Sequence, residues 1–367
     1  MQYNWQLSDW RNFQYEVKDF TQMALTYVEM AGQSQGYLKA LNTDFQEVSL
    51  VDILVKEAIK TSAIEGEMIS RADVISSIRK NLGYTSPSHI IKDKRSEGIA
   101  MLLVKSREEY EAELTEEMLF EWHRLLMRGN YTISVGQWRT HSEPMQVVSG
   151  AIGKEQIHFE APPSLSVPKE MHLFIEWFNA SKPNGVQPIQ NVLIRSAIAH
   201  VYFETIHPFE DGNGRIGRII AEKALAQGLN RPILMSLSTA IEANKKAYYD
   251  ALQQAQRTNS VQEWITYFGQ IIITAQQNFI QSIDVILKKT AFFDKYKPIL
   301  NKEQEKAISR MLEEGDTPFV GGMNARKYQS ITRVSKATAT RHLQDLVEKG
   351  VLLVTNNGRS TSYSINF

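Results

Sequence analysis

The chain reads HPFEDGNGRIGR from His207 to Arg218. Residues 192–206, just before this stretch, are apolar nearly all round and contain no Gly or Pro, which predicts a helix buried in the protein interior. Pro208 ends that helix, the glycines of residues 212–214 allow a sharp turn, and apolar residues at helical spacing follow directly. The stretch therefore predicts two helices joined by a glycine-rich loop, with the loop at the N-terminus of the second helix.

The residue types of this loop suit the binding of nucleotide phosphates. A helix N-terminus offers unpaired backbone N–H groups and a partial positive charge, and Arg215 and Arg218, three residues apart, share a helix face from which both can reach phosphate oxygens. Asp211 supplies a hard oxygen ligand for a Mg²⁺ that bridges the same phosphates. His207 is placed to take a proton from an attacking hydroxyl. Such a set predicts phosphoryl-type transfer, in which the protein positions reactants and neutralises charge.

The same stretch resembles the signature of the Fic (Fido) family, His-Pro-Phe-x-(Asp/Glu)-Gly-Asn-Gly-Arg-x-x-Arg, with every fixed position present. Fic enzymes mostly transfer AMP from ATP to a Tyr, Ser or Thr hydroxyl of a protein. The resemblance therefore implies a protein adenylyltransferase that uses ATP, Mg²⁺ and a protein substrate. It also implies these roles: His207 as general base, Asp211 as Mg²⁺ ligand, Gly212, Asn213 and Gly214 as the cradle of the α- and β-phosphates, and Arg215 and Arg218 as ligands of the β- and γ-phosphates.

An upstream motif, Thr61-Ser62-Ala63-Ile64-Glu65-Gly66, matches the Fic inhibitory pattern (Ser/Thr)-x-x-x-Glu-(Gly/Asn). Taken alone it is also typical of a plain helix end, where Gly66 would be a C-cap. Beside the full signature, it implies that Glu65 pairs with Arg218, keeps this arginine from the γ-phosphate and leaves ATP in an unproductive pose. Because the motif precedes the catalytic loop, the chain resembles the class of Fic proteins inhibited by their own N-terminal helix.

Composition indicates a large globular protein. The 367 residues, 43% of them hydrophobic, can bury a substantial core in two or three domains, and the formal net charge of +0 gives no overall attraction to nucleic acid or membranes. The absence of Cys excludes disulfides, thiolate catalysis and Cys-based zinc sites. No secretory signal pattern and no run of about eighteen apolar residues occurs, so we expect a cytoplasmic protein that does not span a membrane.

Three regions follow from the helical patterns, and together they predict a mainly α-helical fold. Residues 1–95 read as an N-terminal helical domain with the inhibitory helix, and their aromatic opening resembles the N-terminal domain often fused to bacterial Fic proteins. Residues 96–290 read as the Fic catalytic core, with a helix predicted over 241–256 among others. Residues 297–367 read as a winged-helix (helix-turn-helix) domain.

Within the catalytic core, residues 145–148 and 156–159 have the pattern of short strands around a Gly-containing segment, which predicts a hairpin. In Fic enzymes a β-hairpin flap before the signature holds the target's backbone in extended form by strand addition. The resemblance implies that the residues lining this flap are Ile157, His158, Phe159 and Glu160. The alternative is an exposed hairpin without this role.

Two tyrosines, Tyr248 and Tyr249, match a pair that borders the nucleotide in relatives. In several of those relatives an Asn follows shortly after, where this chain has Gln256. The substitution keeps an amide group but leaves open which nucleotide base is bound.

The C-terminal region shows three predicted helices and then a hairpin with a turn at residues 356–358, which is typical of a winged helix. Ser335 is a candidate N-cap for the third helix. Basic residues exceed acidic ones between residues 326 and 360, which favours phosphate contacts, and Thr338, Thr340 and Arg341 are candidates to face a major groove. Winged helices also serve as protein-interaction and dimer modules, so DNA, protein and homodimer partners all stay open.

Two other classes of function compete with the transferase. A metal-dependent hydrolase is suggested by His200, Glu204 and His207, which share a helical face at i, i+4 and i+7, although this helix is apolar and His200 fits a core histidine. A nucleotide-sensing, DNA-binding transcription regulator is the other alternative. An intact His207 argues against it, because a sensor needs no base.

Overall fold

The computed structural model describes residues 2–85, 89–149, 156–313, 321–356 and 361–367. The chain divides into two compact units, Met1–Ile280 and Gln281–Phe367, and is mainly helical, which confirms the expected fold class. The helices of the first unit are α1 (Thr21–Ala40), α2 (Thr43–Ile64), α3 (Arg71–Asn81), α4 (Lys94–Glu108), α5 (Glu116–Leu126), α6 (Val167–Ala180), α7 (Val192–Ile206), α8 (Asn213–Leu229), α9 (Leu237–Ala243), α10 (Lys245–Ala255) and the first part of α11 (Gln262–Tyr296). None of the helices in these described ranges has the length and apolarity needed to cross a membrane.

Helix α7 is buried along its whole length, as its sequence predicts. Asn191 caps its N-terminus, since the side-chain oxygen accepts hydrogen bonds from the backbone N–H groups of Leu193 and Ile194 at 3.0 and 3.2 Å. Helix α8 packs along α7, and side chains of α2, α4, α5 and α6 complete the same apolar core. The loop between α7 and α8 is therefore held at both ends by buried helices that pack on each other.

Helix α2, which leads into the motif at Glu65, packs against α3, α4 and α9. Val51, Leu54, Val55 and Ala58 of this helix belong to the core that α7 and α8 also enter. The expected N-terminal and catalytic regions, 1–95 and 96–290, thus fall largely within one compact unit.

Two strands form the hairpin predicted upstream of α6. Strand β1 (Gln146–Ser149) pairs antiparallel with β2 (Gln156–Glu160), with Gln146 opposite Glu160 and Val147 opposite Phe159. The register shifts between Val147 and Val148. The predicted glycine-containing connection, residues 150–153, lies outside the described residues.

One predicted helix is wrong in its extent. The expected helix over 241–256 is two helices, α9 and α10, separated at Asn244, whose φ of −144° is not helical. The Asn244 side chain accepts a hydrogen bond from the backbone N–H of Ala247 at 3.3 Å and so caps α10.

The second unit contains the rest of α11, α12 (Lys302–Glu313), α13 (Ala325–Thr332), α14 (Lys336–Glu348), β3 (Leu352–Asn356) and β4 (Ser362–Ile365). Strands β3 and β4 pair antiparallel, and Met323 forms an additional bridge to Tyr363. Ser335 caps α14 as predicted, accepting from the backbone N–H of Thr338 at 3.2 Å. Residues 357–360, which include most of the predicted turn, lie outside the described residues.

Candidate active site

The loop between α7 and α8 begins and ends in left-handed backbone. His207 has φ 49° and Gly212 has φ 83°, and α8 starts at Asn213. The Asn213 side chain spans the loop, because its Oδ1 accepts from the Phe209 N–H at 2.9 Å and its Nδ2 donates to the Phe209 carbonyl at 2.8 Å. Asn213 thus shapes the loop through its side chain, while the backbone N–H groups at the start of α8 stay available for an anion.

Arg139 holds the backbone on both sides of His207. Its Nε donates to the His207 carbonyl at 2.8 Å, its Nη2 to the Ile206 carbonyl at 3.3 Å, and its backbone N–H to the Pro208 carbonyl at 2.9 Å. The arginine is 1% exposed. It therefore stabilises a left-handed conformation that a non-glycine residue rarely adopts. Sequence reasoning missed Arg139 as part of the site.

The His207 imidazole is in its neutral form, which can accept a proton. Burial, helped by the charge of Arg139, lowers its pKa to about 4, so the ring is neutral at pH 7. Its Nδ1 has no hydrogen-bond partner among the described residues and lies 3.8 Å from Glu204 Oε2. A neutral imidazole in the cavity wall can accept a proton from a bound hydroxyl.

Glu204 is a buried acid directly behind the histidine. Burial, assisted by the charge of Glu65 and opposed by Arg218, raises its pKa to about 8. The carboxyl group is therefore protonated at neutral pH, and its Oε1 lacks a hydrogen-bond partner in the described part of the chain. Sequence reasoning considered Glu204 only as a metal ligand.

His200, the third member of that metal-ligand set, belongs to the core. Its Nε2 is 2.7 Å from the Tyr248 hydroxyl, and its ring stacks on Phe268 with centroids 4.9 Å apart. Burial lowers its pKa to about 3. Within the described ranges, no group of three or more His, Cys, Asp or Glu could hold a metal ion, so the hydrolase alternative has no support in the structure.

Both signature arginines are paired with acids that follow α2. Arg218 Nη2 donates to Glu65 Oε1 at 2.8 Å, and its Nε donates to the Thr61 hydroxyl at 2.9 Å. Arg215 Nη1 donates to Glu67 Oε2 at 2.7 Å. The two guanidinium groups are almost completely buried, so each ion pair is only partly screened by water. The Glu65–Arg218 pair is the contact that the motif implies, whereas Glu67 was missed.

The electrostatics of Glu65 follow from these contacts. Burial opposes its ionisation, but the charge and hydrogen bond of Arg218, with further charges of Arg215 and Lys245, keep its pKa below the ordinary value. Gly214 is what lets this carboxylate approach the loop. A side-chain Cβ at Gly214 would lie 2.5 Å from Glu65 Oε1.

Asp211 lies at the edge of the loop, with its side chain 47% exposed. Its Oδ1 accepts from the Gly212 N–H at 2.6 Å and from Arg215 Nη2 at 3.3 Å. A single accessible carboxylate fits Mg²⁺, which proteins commonly bind through one or two carboxylates together with substrate phosphates and water.

Glu65, Glu204, His207, Asp211 and Arg218 line one cavity of about 590 Å³, which is large enough for a nucleotide. Its wall is formed by the end of α2, both strands of the hairpin, the α7–α8 loop and α10. The predicted site residues that line it are Glu65, His158, Phe159, His207, Asp211, Gly212, Asn213, Gly214, Arg218 and Tyr249.

Four predicted site residues do not line the cavity. Ile157 is exposed, and Glu160 accepts from Gln146 Nε2 at 2.8 Å on the neighbouring strand. Tyr248 lies behind Tyr249 on His200, and Arg215 is covered by Glu67. Gln256 lines the cavity and also donates from Nε2 to the Glu204 carbonyl at 3.2 Å.

Fold and site together define a helical protein with a glycine-rich loop at the N-terminus of α8 and a buried, neutral histidine at the start of that loop. Two segments of the chain match known protein families: residues 113–225 match the Fic/DOC family, and residues 3–84 match a domain of unknown function, DUF4172. This segment of the chain is thus similar to the Fic/DOC family.

Individual proteins also match part of the chain. A probable protein adenylyltransferase of Aquifex aeolicus is 30% identical over 154 residues, which are 41% of this chain and 41% of that protein. The protein adenylyltransferase fic-1 of Caenorhabditis elegans is 25% identical over 143 residues, 39% of this chain and 24% of that protein. The matched segment thus spans less than half the length of these curated relatives.

Solved structures share the fold. A Fic family protein from Desulfovibrio desulfuricans G20 superposes with a TM-score of 0.51 at 19% identity, covering 94% of this chain and 96% of that chain. A Fic domain containing signaling protein from Bacteroides thetaiotaomicron VPI-5482 gives a TM-score of 0.53 at 19% identity, covering 70% and 97%.

Proposed function

We propose that this protein is an adenylyltransferase that transfers AMP from ATP to a Tyr, Ser or Thr hydroxyl of a protein in the cytoplasm. The observation that carries the proposal is the neutral imidazole of His207, which lies in the wall of a nucleotide-sized cavity at the start of a phosphate-binding loop. The names of the relatives from Aquifex and Caenorhabditis support it.

In the proposed reaction, the target hydroxyl oxygen attacks the α-phosphorus of ATP while His207 takes the hydroxyl proton. The bond between the α- and β-phosphates breaks, and pyrophosphate leaves with the electron pair. The backbone N–H groups at the start of α8 hold the phosphates, and Arg215 and Arg218 neutralise the charge of the leaving group. Asp211 would hold a Mg²⁺ that supplies further charge neutralisation.

The target segment is proposed to bind beside the hairpin. The outer edge of β2 is already occupied at two carbonyls, because His158 O accepts from Gln253 Nε2 and Arg257 Nη2, and Glu160 O accepts from Trp5 Nε1. A target that adds as a strand would therefore pair with β1. Such pairing leaves the α10 contacts of β2 intact.

The resting protein is proposed to be autoinhibited. Glu65 occupies Arg218 and Glu67 occupies Arg215, so neither arginine can donate fully to phosphate. Two carboxylates, on Glu65 and Glu67, would thereby oppose productive ATP binding. Loss of Glu65 frees Arg218 and is expected to raise the transfer rate.

The test is intact-mass spectrometry of Glu65→Gly protein incubated with ATP and Mg²⁺, with Glu65→Gly/His207→Ala as the matched control. Self-modification by one AMP in the first protein and none in the second supports the reaction, the nucleotide, the base and the inhibitory contact together. A mass increase that persists in the double variant refutes the role of His207. Unchanged activity of Glu65→Gly relative to the wild type refutes the inhibition.

A further inference from the structure

The second compact unit contains two helices in a helix–turn–helix arrangement. Helices α13 and α14 are separated by residues 333–335, and the turn begins at Arg333 with φ 63°. The inner side of α14 is fixed by the buried Ala339, Leu343 and Leu346. The opposite side of α14 therefore has a defined orientation and faces solvent.

This outer face of α14 consists of the exposed residues Lys336, Ala337, Thr340, Arg341, Gln344 and Glu348. They recur at helical spacing over three turns. The face carries no large apolar side chain, so it is poorly suited to bury against a protein core. Its middle part instead presents Thr, Arg and Gln, which are side chains that hydrogen-bond to base edges in DNA.

Positive charge lies on this face and beside it. Arg326 on α13, Arg333 in the turn, and Lys336 and Arg341 on α14 are exposed and form no ion pair with any residue of the described ranges. In contrast, Lys349 at the far end of α14 is paired with Asp345 at 2.6 Å. Residues 281–367 contain fourteen Lys and Arg against nine Asp and Glu, although the whole chain has a formal net charge of +0. The second unit therefore carries a net positive charge, which the rest of the chain balances.

We propose that the second unit binds double-stranded DNA with α14 in the major groove. Thr340, Arg341 and Gln344 contact base edges, while Arg326, Arg333 and Lys336 contact phosphates on either side. The major groove of B-form DNA admits an α-helix, whereas the deep, narrow major groove of an RNA duplex does not. A protein partner would instead need the exposed apolar side chains of β3, Leu353 and Val354. The proposal is independent of adenylyl transfer.

The first experiment selects sequences from a pool of random DNA duplexes with the full chain. We expect enrichment of a defined sequence, and loss of that enrichment with Arg341→Ala/Gln344→Ala. On the selected duplex, Arg341→Ala is expected to weaken binding roughly 10-fold or more, with relaxed selectivity at one base pair. Thermal unfolding of each variant verifies that these surface substitutions leave the fold intact.

The second experiment measures the salt dependence of binding to the selected duplex by fluorescence anisotropy. Arg326→Ala and Arg333→Ala are expected to weaken binding to all duplexes alike and to reduce the slope of log K against log [salt] by about 1 each. Lys306→Ala removes the same charge from the exposed side of α12 and is the matched control, expected to leave binding unchanged. The proposal is overturned if no sequence is enriched, or if Lys306→Ala weakens binding as much as Arg341→Ala does. It is also overturned, in favour of a protein partner, if binding is lost only in Leu353→Ser/Val354→Ser.

Discussion

Glu67 gives the sharpest test of the reasoning about inhibition, because no sequence motif points to it. Its carboxylate contacts Arg215 Nη1 at 2.7 Å, with the side chain of Glu67 30% exposed and that of Arg215 3% exposed. A charged hydrogen bond in such a half-buried place contributes about 1 kcal/mol, more than a surface pair and less than a fully buried one. Removing it in Glu67→Gln is therefore expected to raise the rate of self-adenylylation about 5-fold over wild type.

The assay is the time course of AMP addition by intact mass with saturating Mg²⁺ and limiting ATP. Glu242→Gln is the matched control, since Glu242 pairs with Lys60 of α2 at 3.0 Å and touches neither arginine. The double variant Glu65→Gly/Glu67→Gln should exceed Glu65→Gly, because the two carboxylates act on different arginines. If Glu67→Gln reacts no faster than Glu242→Gln, the Glu67–Arg215 contact has no inhibitory role.

Three further substitutions test the groups around the base. Glu204 keeps its proton in the folded state up to about pH 8 but ionises near its ordinary pKa of 4.5 when unfolded, so its burial costs increasing stability as pH rises between these values. Glu204→Gln should then stabilise the protein more at pH 8 than at pH 5, and the extra gain in unfolding free energy should be up to about 5 kcal/mol. Melting temperatures at the two pH values check this, and an equal gain at both contradicts it. Arg139→Met should lower the transfer rate of a Glu65→Gly protein about 100-fold, because the backbone carbonyls around His207 lose their hydrogen-bond donor. Intact mass measures the rate, and circular dichroism verifies that the variant still folds. Tyr248→Phe should reduce stability by about 1–3 kcal/mol but leave the KM for ATP unchanged, and a raised KM would place this tyrosine on the nucleotide.

Local signals account for the parts of the fold that the sequence predicts well. An unbroken apolar run, a proline and a pair of glycines all lie within the α7–loop–α8 segment, so its shape follows from neighbours along the chain. Likewise, the motif at Glu65 ends α2 where a glycine follows, and Gly66 has φ 79°. The helix break at Asn244 was missed because the apolar spacing continues across this residue, although its side chain caps a new helix.

Other residues of the site could not be predicted because their partners lie far away in the chain. Arg139 is 68 residues before His207, and Glu67 is 148 residues before Arg215. Nothing in the immediate neighbourhood of either residue distinguishes it from an ordinary surface charge. Tyr248 and Tyr249 are adjacent on α10, so only one of them can face the cavity. The sequence does not show which one, whereas the structure packs Tyr248 against His200 and leaves Tyr249 in the cavity wall.

Burial of the two signature arginines links stability with the proposed inhibition. Arg218 is 1% exposed and Arg215 3% exposed, and a guanidinium ion buried without a counter-charge costs several kcal/mol. Without nucleotide, Glu65 and Glu67 supply that counter-charge from the end of α2. A bound phosphate can take their place only by supplying equivalent negative charge, so ATP binding and release of the two carboxylates are one coupled equilibrium. In the proposed inhibition, the two acids that oppose catalysis therefore also stabilise the empty site, and the helix that precedes them is anchored in the hydrophobic core through Val51, Leu54, Val55 and Ala58.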